Sequence, residues 1–140
     1  MPVLEQVFEQ NPDKVKIVFK NFPIRGHAFA VKAAQAALAA YGQGMFWEFH
    51  DLLFKNYNVL SDEKIEEIRS QLGLDANQFK ARMNDPRILV QINADAGLGR
   101  KVGVQGTPTV FVNGRLIRDK SANGFKIAVD EALKRLQAAK

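Results

Sequence analysis

Apolar and polar positions switch between two periods along this chain, and the switches mark its elements. From Pro2 to Gln10, Val3, Leu4, Val7 and Phe8 fall on one face at helical spacing, and Asn11-Pro12 ends the run. This helix has no capping residue ahead of it and reads as the back half of something longer. Lys14 to Phe22 (KVKIVFKNF) alternates instead. Val15, Ile17 and Phe19 point one way and Lys14, Lys16 and Lys20 the other, which predicts a strand. Phe22-Pro23 and Gly26 break that pattern.

Helical spacing then holds from His27 to Lys101. Ala28 to Tyr41 is Ala-rich and stops at Gly42 and Gly44; Phe46 to Asn56 carries Phe46, Phe49, Leu53 and Phe54. Ser61 is placed to cap a helix running through Leu72, with Asp62 and Glu63 in its first turn and Gly73 after its end. Asp75 can cap a short helix holding Phe79 and Met83, and Asp85-Pro86 opens one that runs to about Val102. Thr109 to Val112 reads as a short strand, Asn113-Gly114 as a two-residue hairpin turn, and Arg115 to Arg118 as the returning strand. Phe125 to Ala138 closes the chain as a helix, with Ile127, Ala128, Leu133 and Leu136 as its apolar stripe. With no repeat or linker in view, residues 1–140 read as one domain.

Composition narrows the class. Hydrophobic residues make up 46% of the 140 and include ten Phe, which is enough to build a core and argues against disorder. No stretch is long and apolar enough to span a bilayer, and no signal peptide is visible after Met1-Pro2. That leaves the mature part of an exported protein, a protein that stays inside, or a chain whose front is missing. The net charge of +5 comes from basic residues spread among acidic ones, which reads as a solvated surface and predicts neither a nucleic-acid nor a membrane partner.

Candidate chemistry is sparse. There is no cysteine, so disulfides, thiolate metal sites and a cysteine nucleophile are excluded within this chain. His27 and His50 are far apart and make a poor metal site; His50 reads as a hydrogen-bonded structural residue, His27 as a capping or surface one. Trp47, Phe46, Phe49 and Phe54 could line a groove but read first as core. Ser61, Asp62 and Glu63 are explained by capping. Asn93 and Asp95 lack acidic neighbours for a metal, and Gly97 to Gly99 follows no strand and is no phosphate loop. No metal and no cofactor is expected.

The order of elements and several stretches resemble a known family. KIVFKNFP at Lys16 to Pro23, HAFAVKAAQAALAA at His27 to Ala40, FWEFHDLLF at Phe46 to Phe54, LSDEKI with LGLD, and above all GVQGTPTVFVNG at Gly103 to Gly114 are similar to DsbA-like thiol:disulfide oxidoreductases of the thioredoxin superfamily. The resemblance implies an α/β (α+β) class: a thioredoxin-like fold with the DsbA-type helical insertion at residues 27–102. Val15 to Asn21, Thr109 to Val112 and Arg115 to Arg118 would be its second, third and fourth strands.

It also implies what is lacking. In the family a first strand and a Cys-x-x-Cys motif come just before the position of Pro2, the thiols at a helix N-terminus that lowers their pKa. No catalytic residue is therefore assigned here. Gly106, Thr107 and Pro108 are the implied substrate-binding residues. The resemblance makes the Thr107–Pro108 bond cis and lends the backbone of Thr107 to an extended peptide. Gly106 is expected to serve a tight approach of this loop to its neighbours.

The family's first strand lies between the second and the third, and unpaired buried backbone groups cost about 1–3 kcal/mol each against a total stability of roughly 5–15 kcal/mol. The sheet is thus expected to close, either by direct pairing of the second and third strands or by exchange of elements in a homodimer. Two functions stay open. One is a thiol:disulfide oxidoreductase of extended or unfolded exported proteins, periplasmic or extracytoplasmic by resemblance, inactive as this chain alone. The other is a non-enzymatic peptide-binding or assembly module of the same fold. A glutathione-using relative is a weaker third.

Overall fold

A computed structural model describes residues 2–140. The chain divides into two compact units: Met1–Phe19 with Gly106–Lys140, and Lys20–Gln105.

The first unit holds α1 (Pro2–Gln10), the hairpin strands β1 (Phe111–Val112) and β2 (Arg115–Leu116), and the closing α7 (Ala122–Ala138). Asn11 ends α1 by donating its side-chain amide to the Val7 carbonyl at 3.0 Å. The hairpin turns at Asn113 and Gly114, both with positive φ (45° and 80°), as a type I′ turn requires. Phe111 then faces Leu116 and Val112 faces Arg115, and Ile117 N–H donates to Val110 O at 2.9 Å. The ladder is therefore shorter than the Thr109–Val112 and Arg115–Arg118 strands expected. Val7, Phe125 and Val129 form the unit's core, with Val3, Leu4, Val15, Val110, Ile117 and Leu133 against it.

α7 begins one turn earlier than its apolar pattern suggests, because Ser121 caps it: Ser121 Oγ accepts from Gly124 N–H at 3.0 Å. Its buried face is Phe125, Val129 and Ala132, while Ile127 and Leu136, read as part of the stripe, are exposed. The Phe125, Val129, Ala132 set fits α-helical spacing better.

The second unit is all helical: α2 (Ala30–Tyr41), α3 (Phe46–Lys55), a 3₁₀ turn (Tyr57–Val59), α4 (Asp62–Gln71), α5 (Ala76–Met83) and α6 (Pro86–Lys101). The expected caps are made. Ser61 Oγ accepts from Lys64 N–H (3.1 Å), Asp75 Oδ1 from Gln78 N–H (2.8 Å) and Asp85 Oδ1 from Arg87 N–H (2.9 Å). Ala36 to Ala40 let α2 lie close to its neighbours, and Phe49 stacks on Phe79 (centroids 5.5 Å apart) at the centre of the core. Gln43 joins the turn after α2 to the start of α5 by a reciprocal pair: it donates to Asp75 O at 3.2 Å and accepts from Asp75 N–H at 2.8 Å.

One element is corrected. Lys14 closes the turn after α1, and Val15 to Phe22 belongs to no helix or strand; burial alternates over Lys14–Val18, with Val15 and Ile17 half-buried and Lys14, Lys16 and Val18 exposed, but the segment is not a strand. A strand needs a partner ladder, and among the described residues none pairs with this segment. Among the described residues the sheet has two strands, and Val15–Asn21 does not pair directly with Thr109–Val112.

Candidate functional site

The loop Gly106–Thr107–Pro108 leads straight into the hairpin of the first unit. Two hydrogen bonds hold it. Thr109 Oγ1 donates back to Gly106 O at 2.6 Å, and Lys120 Nζ donates to Pro108 O at 2.8 Å. The first closes a short turn by side chain on backbone, the second ties the loop to the segment before α7. The Thr107–Pro108 peptide bond is cis. Thr107 and Pro108 are exposed, and Thr107 makes no backbone hydrogen bond among the described residues. Its N–H and C=O accordingly have no main-chain partner among the described residues.

Gly106 does not play the part expected of it. A Cβ placed there would meet nothing within 4 Å, and its φ is not in the left-handed region, so neither a close approach nor backbone geometry demands glycine.

The remaining residues sort plainly. His50 is buried in α3, with Nδ1 3.1 Å from Asp51 Oδ1, and is packed among the rings of Phe46, Trp47 and Phe54 at 4.6–5.8 Å. His27 is exposed in the turn before α2, its backbone bridging Ile24 and Ala30. Phe46 and Phe49 are core, but Trp47 and Phe54 are largely exposed, so the all-core reading of this cluster holds for half of it. Glu63 sits in the first turn of α4, where its own backbone N–H and the Ser61 hydroxyl hold its carboxyl below the usual range. Asp62 pairs with Lys32 at 2.5 Å.

Asp95 is the residue that sequence reasoning missed. It is buried on α6, where Oδ2 accepts from Asn21 N–H (3.0 Å) and Asn21 Nδ2 (2.9 Å), and Oδ1 accepts from Lys20 Nζ (3.3 Å). The signal was present: Ile88, Ile92, Asp95, Ala96 and Gly99 fall on one helical face, and a lone carboxylate on an apolar stripe needs a partner. One turn on, Phe22 lies against Gly99, where a Cβ would come within 2.8 Å of the ring. Among the described residues no group of three or more His, Cys, Asp or Glu side chains is gathered as a metal site would require.

A hairpin backed by helices at both ends of the chain, a helical block between, and a Thr-Pro loop entering the hairpin define a thioredoxin-like domain with a helical insertion. Comparison with known proteins agrees. The model of the DSBA-like thioredoxin domain family matches residues 1–126, and the chain belongs to that family. It is 33% identical to the probable disulfide bond formation protein D of Bacillus cereus over 95% of this chain and 66% of that protein. It is 38% identical to the Na(+)/H(+) antiporter NhaA 3 of Salinispora tropica over 72% of this chain, which spans only 16% of the antiporter's length. The thiol-disulfide exchange protein alpha-DsbA2 of Wolbachia pipientis superposes with a TM-score of 0.83 at 30% identity, covering 94% of this chain and 72% of that one.

Proposed function

We propose that this chain is the scaffold and substrate-holding part of a protein thiol:disulfide oxidoreductase acting on exported proteins, and that these 140 residues by themselves do no redox chemistry. The observation that carries this is a match to the DSBA-like domain over residues 1–126 in a chain with no cysteine. Disulfide exchange proceeds by thiolate attack on sulfur through a mixed disulfide, and no other side chain here can take that part. The thiol pair of the working protein must come from outside these residues.

The substrate is an extended or unfolded polypeptide, held by main-chain pairing at Thr107 within the loop Gly106, Thr107, Pro108. Recognition through backbone suits a protein with many substrates, because it ignores side-chain identity. Lys120 keeps the Pro108 carbonyl occupied, which leaves the Thr107 groups as the open pair. An extracytoplasmic setting accords with the family and its disulfide chemistry. Among the described residues no helix is long and apolar enough to cross a membrane.

A second reading, a non-enzymatic peptide-holding or assembly module, rests on the same loop and the same lack of thiol. The deciding test is insulin reduction by dithiothreitol with and without the purified chain. Equal rates are expected, and any acceleration above the free dithiol overturns the proposal. Joining a strand and a Cys-x-x-Cys helix start ahead of Pro2 should create activity if the oxidoreductase reading holds, and leave only peptide binding if the module reading does.

A further inference from the structure

The register of an antiparallel pair fixes which residues would face one another beyond its ends. Phe111 faces Leu116, Val112 faces Arg115, and Ile117 N–H bonds Val110 O. Hydrogen-bonded pairs recur at every second residue, so the next rung after Val110 and Ile117 would set Asp119 N–H on Pro108 O. That bond is not made among the described residues. Lys120 Nζ takes the Pro108 carbonyl instead, at 2.8 Å. A side chain thus stands in for main chain at the point where the loop enters the hairpin.

Asp119 is drawn aside by the start of α7. Its Oδ1 accepts from Ser121 N–H at 2.9 Å, and Ser121 Oγ accepts from Gly124 N–H at 3.0 Å. Gly124 supplies the room for this. A Cβ there would run into the Asp119 carbonyl oxygen and lie 2.5 and 2.8 Å from Asp119 Cγ and Cβ. None of the other glycines stands so close to backbone. Gly124 lies within α7 and its φ is not left-handed, so space rather than conformation calls for glycine. Glycine is also a poor helix former, second only to proline, and by itself it weakens the first turn of α7.

We propose that Gly124 and Asp119 are positioning residues for the substrate-holding loop, acting through Lys120. Gly124 leaves a seat for Asp119 against α7, and Asp119 is fastened there through Ser121. Lys120 lies between those two, so its backbone is held where its ammonium reaches the Pro108 carbonyl. A free lysine side chain has many rotamers, and a fixed backbone lowers the entropy lost in making that bond. The inference rests on the peptide-holding role proposed for Gly106 to Pro108 and extends it to α7. All of these residues belong to one compact unit.

The test compares Gly124→Ala, Lys120→Met and the double variant of the intact chain. The first readout is the carbonyl ¹³C shift of Pro108, seen by NMR through the Thr109 N–H. Gly124→Ala should move it in the same direction as Lys120→Met does, and the double variant should move it no further. The second readout is affinity for a permanently unfolded, labelled protein. Gly124→Ala should weaken binding about three- to tenfold, as the loss of the Lys120 fastening does, and adding Lys120→Met should change it by less than about twofold. A merely structural glycine would give losses that add. Should Gly124→Ala fail to fold, the exposed Asp119 serves in its place. Asp119→Ala should behave as Lys120→Met, and Asp119→Asn, which keeps an acceptor for Ser121 N–H, should restore the parent shift and affinity. An unmoved Pro108 carbonyl, additive losses, or an Asp119→Asn variant as weak as Asp119→Ala overturns the proposal. If the parent chain holds no unfolded protein, the peptide-holding role falls and the proposal falls with it as a binding device, while the Pro108 shift still decides whether Gly124 and Asp119 position Lys120.

Discussion

Asp95 Oδ2 accepts two hydrogen bonds from the single residue Asn21, one from its backbone N–H and one from its side-chain amide, at 3.0 and 2.9 Å. Both residues are buried, so within the helical unit the pair fastens the segment at Asn21 to α6. Replacing Asp95 by Ala leaves a buried N–H and a buried amide without acceptors. That costs about 1–3 kcal/mol per orphaned group, so Asp95→Ala should lower the unfolding free energy by roughly 2–6 kcal/mol, read as a lower urea midpoint at unchanged m. A loss of less than ~0.5 kcal/mol, the scale of an ordinary surface change, would show the pair to be dispensable.

The neighbouring contact makes a second prediction. A Cβ at Gly99 would lie 2.8 and 2.9 Å from two carbons of the Phe22 ring. Gly to Ala inside a helix ordinarily gains up to about 1 kcal/mol, whereas overpacking costs about 1–3 kcal/mol. The clash should win, and Gly99→Ala should destabilise. Phe22→Leu made in the Gly99→Ala background should recover part of the loss, read as a coupling energy in a double-mutant cycle. Gly99→Ala without loss would mean that the ring moves freely.

How much of this was legible beforehand depends on whether a signal was local. The caps at Ser61, Asp75 and Asp85, the turn at Asn113-Gly114 and the stop at Gly73 are written in two to four adjacent residues, and each helix they bound was placed within about two residues. The Thr-Pro loop was legible only because the stretch around it resembles a family; periodicity alone does not single it out. Three readings failed for want of non-local information. Lys14 to Phe22 has the alternation of a strand, but a ladder depends on a partner elsewhere in space. Gly106 looked like a residue under a tight contact and faces open space. Asp95 was set aside for lacking acidic neighbours, when its partners are two residues from a distant segment, Lys20 and Asn21.

Acid should destabilise the helical unit through its caps. Asp85 is held down to about 2 from an ordinary 3.8, chiefly by the Arg87 guanidinium and then by the Arg87 backbone N–H. A carboxyl whose folded pKa is depressed contributes stability that is present above its unfolded pKa and lost as pH falls through the folded one. For Asp85 the window runs from about pH 4 down to about pH 2. Glu63 and Glu66 are lowered too and act in the same direction. Thermal unfolding followed from pH 5 to pH 2 should therefore show a falling midpoint, and Asp85→Asn, which keeps a capping oxygen but cannot titrate, should flatten the slope within that window. A slope identical to that of the parent chain would remove Asp85 from the account.

Peptide holding should depend on Lys120 although that residue need not touch the peptide. Its ammonium donates to the Pro108 carbonyl at 2.8 Å, an exposed charge-assisted bond that ties the loop to the segment before α7. Lys120→Met keeps most of the stem and deletes the donor. The Pro108 carbonyl then becomes free, the loop loses one of its two fastenings, and the order it had in advance must be supplied on binding. Affinity for an unfolded polypeptide should fall about three- to tenfold, equivalent to ~0.7–1.4 kcal/mol, with the unfolding midpoint nearly unchanged because the bond lies at the surface. Thr107→Ala, by contrast, alters only an exposed side chain and should leave affinity within about twofold if the main chain does the holding. Titration of a permanently unfolded, labelled protein with each variant separates the two. If Thr107→Ala weakens binding as much as Lys120→Met does, recognition runs through the threonine side chain and the backbone reading of this loop is wrong.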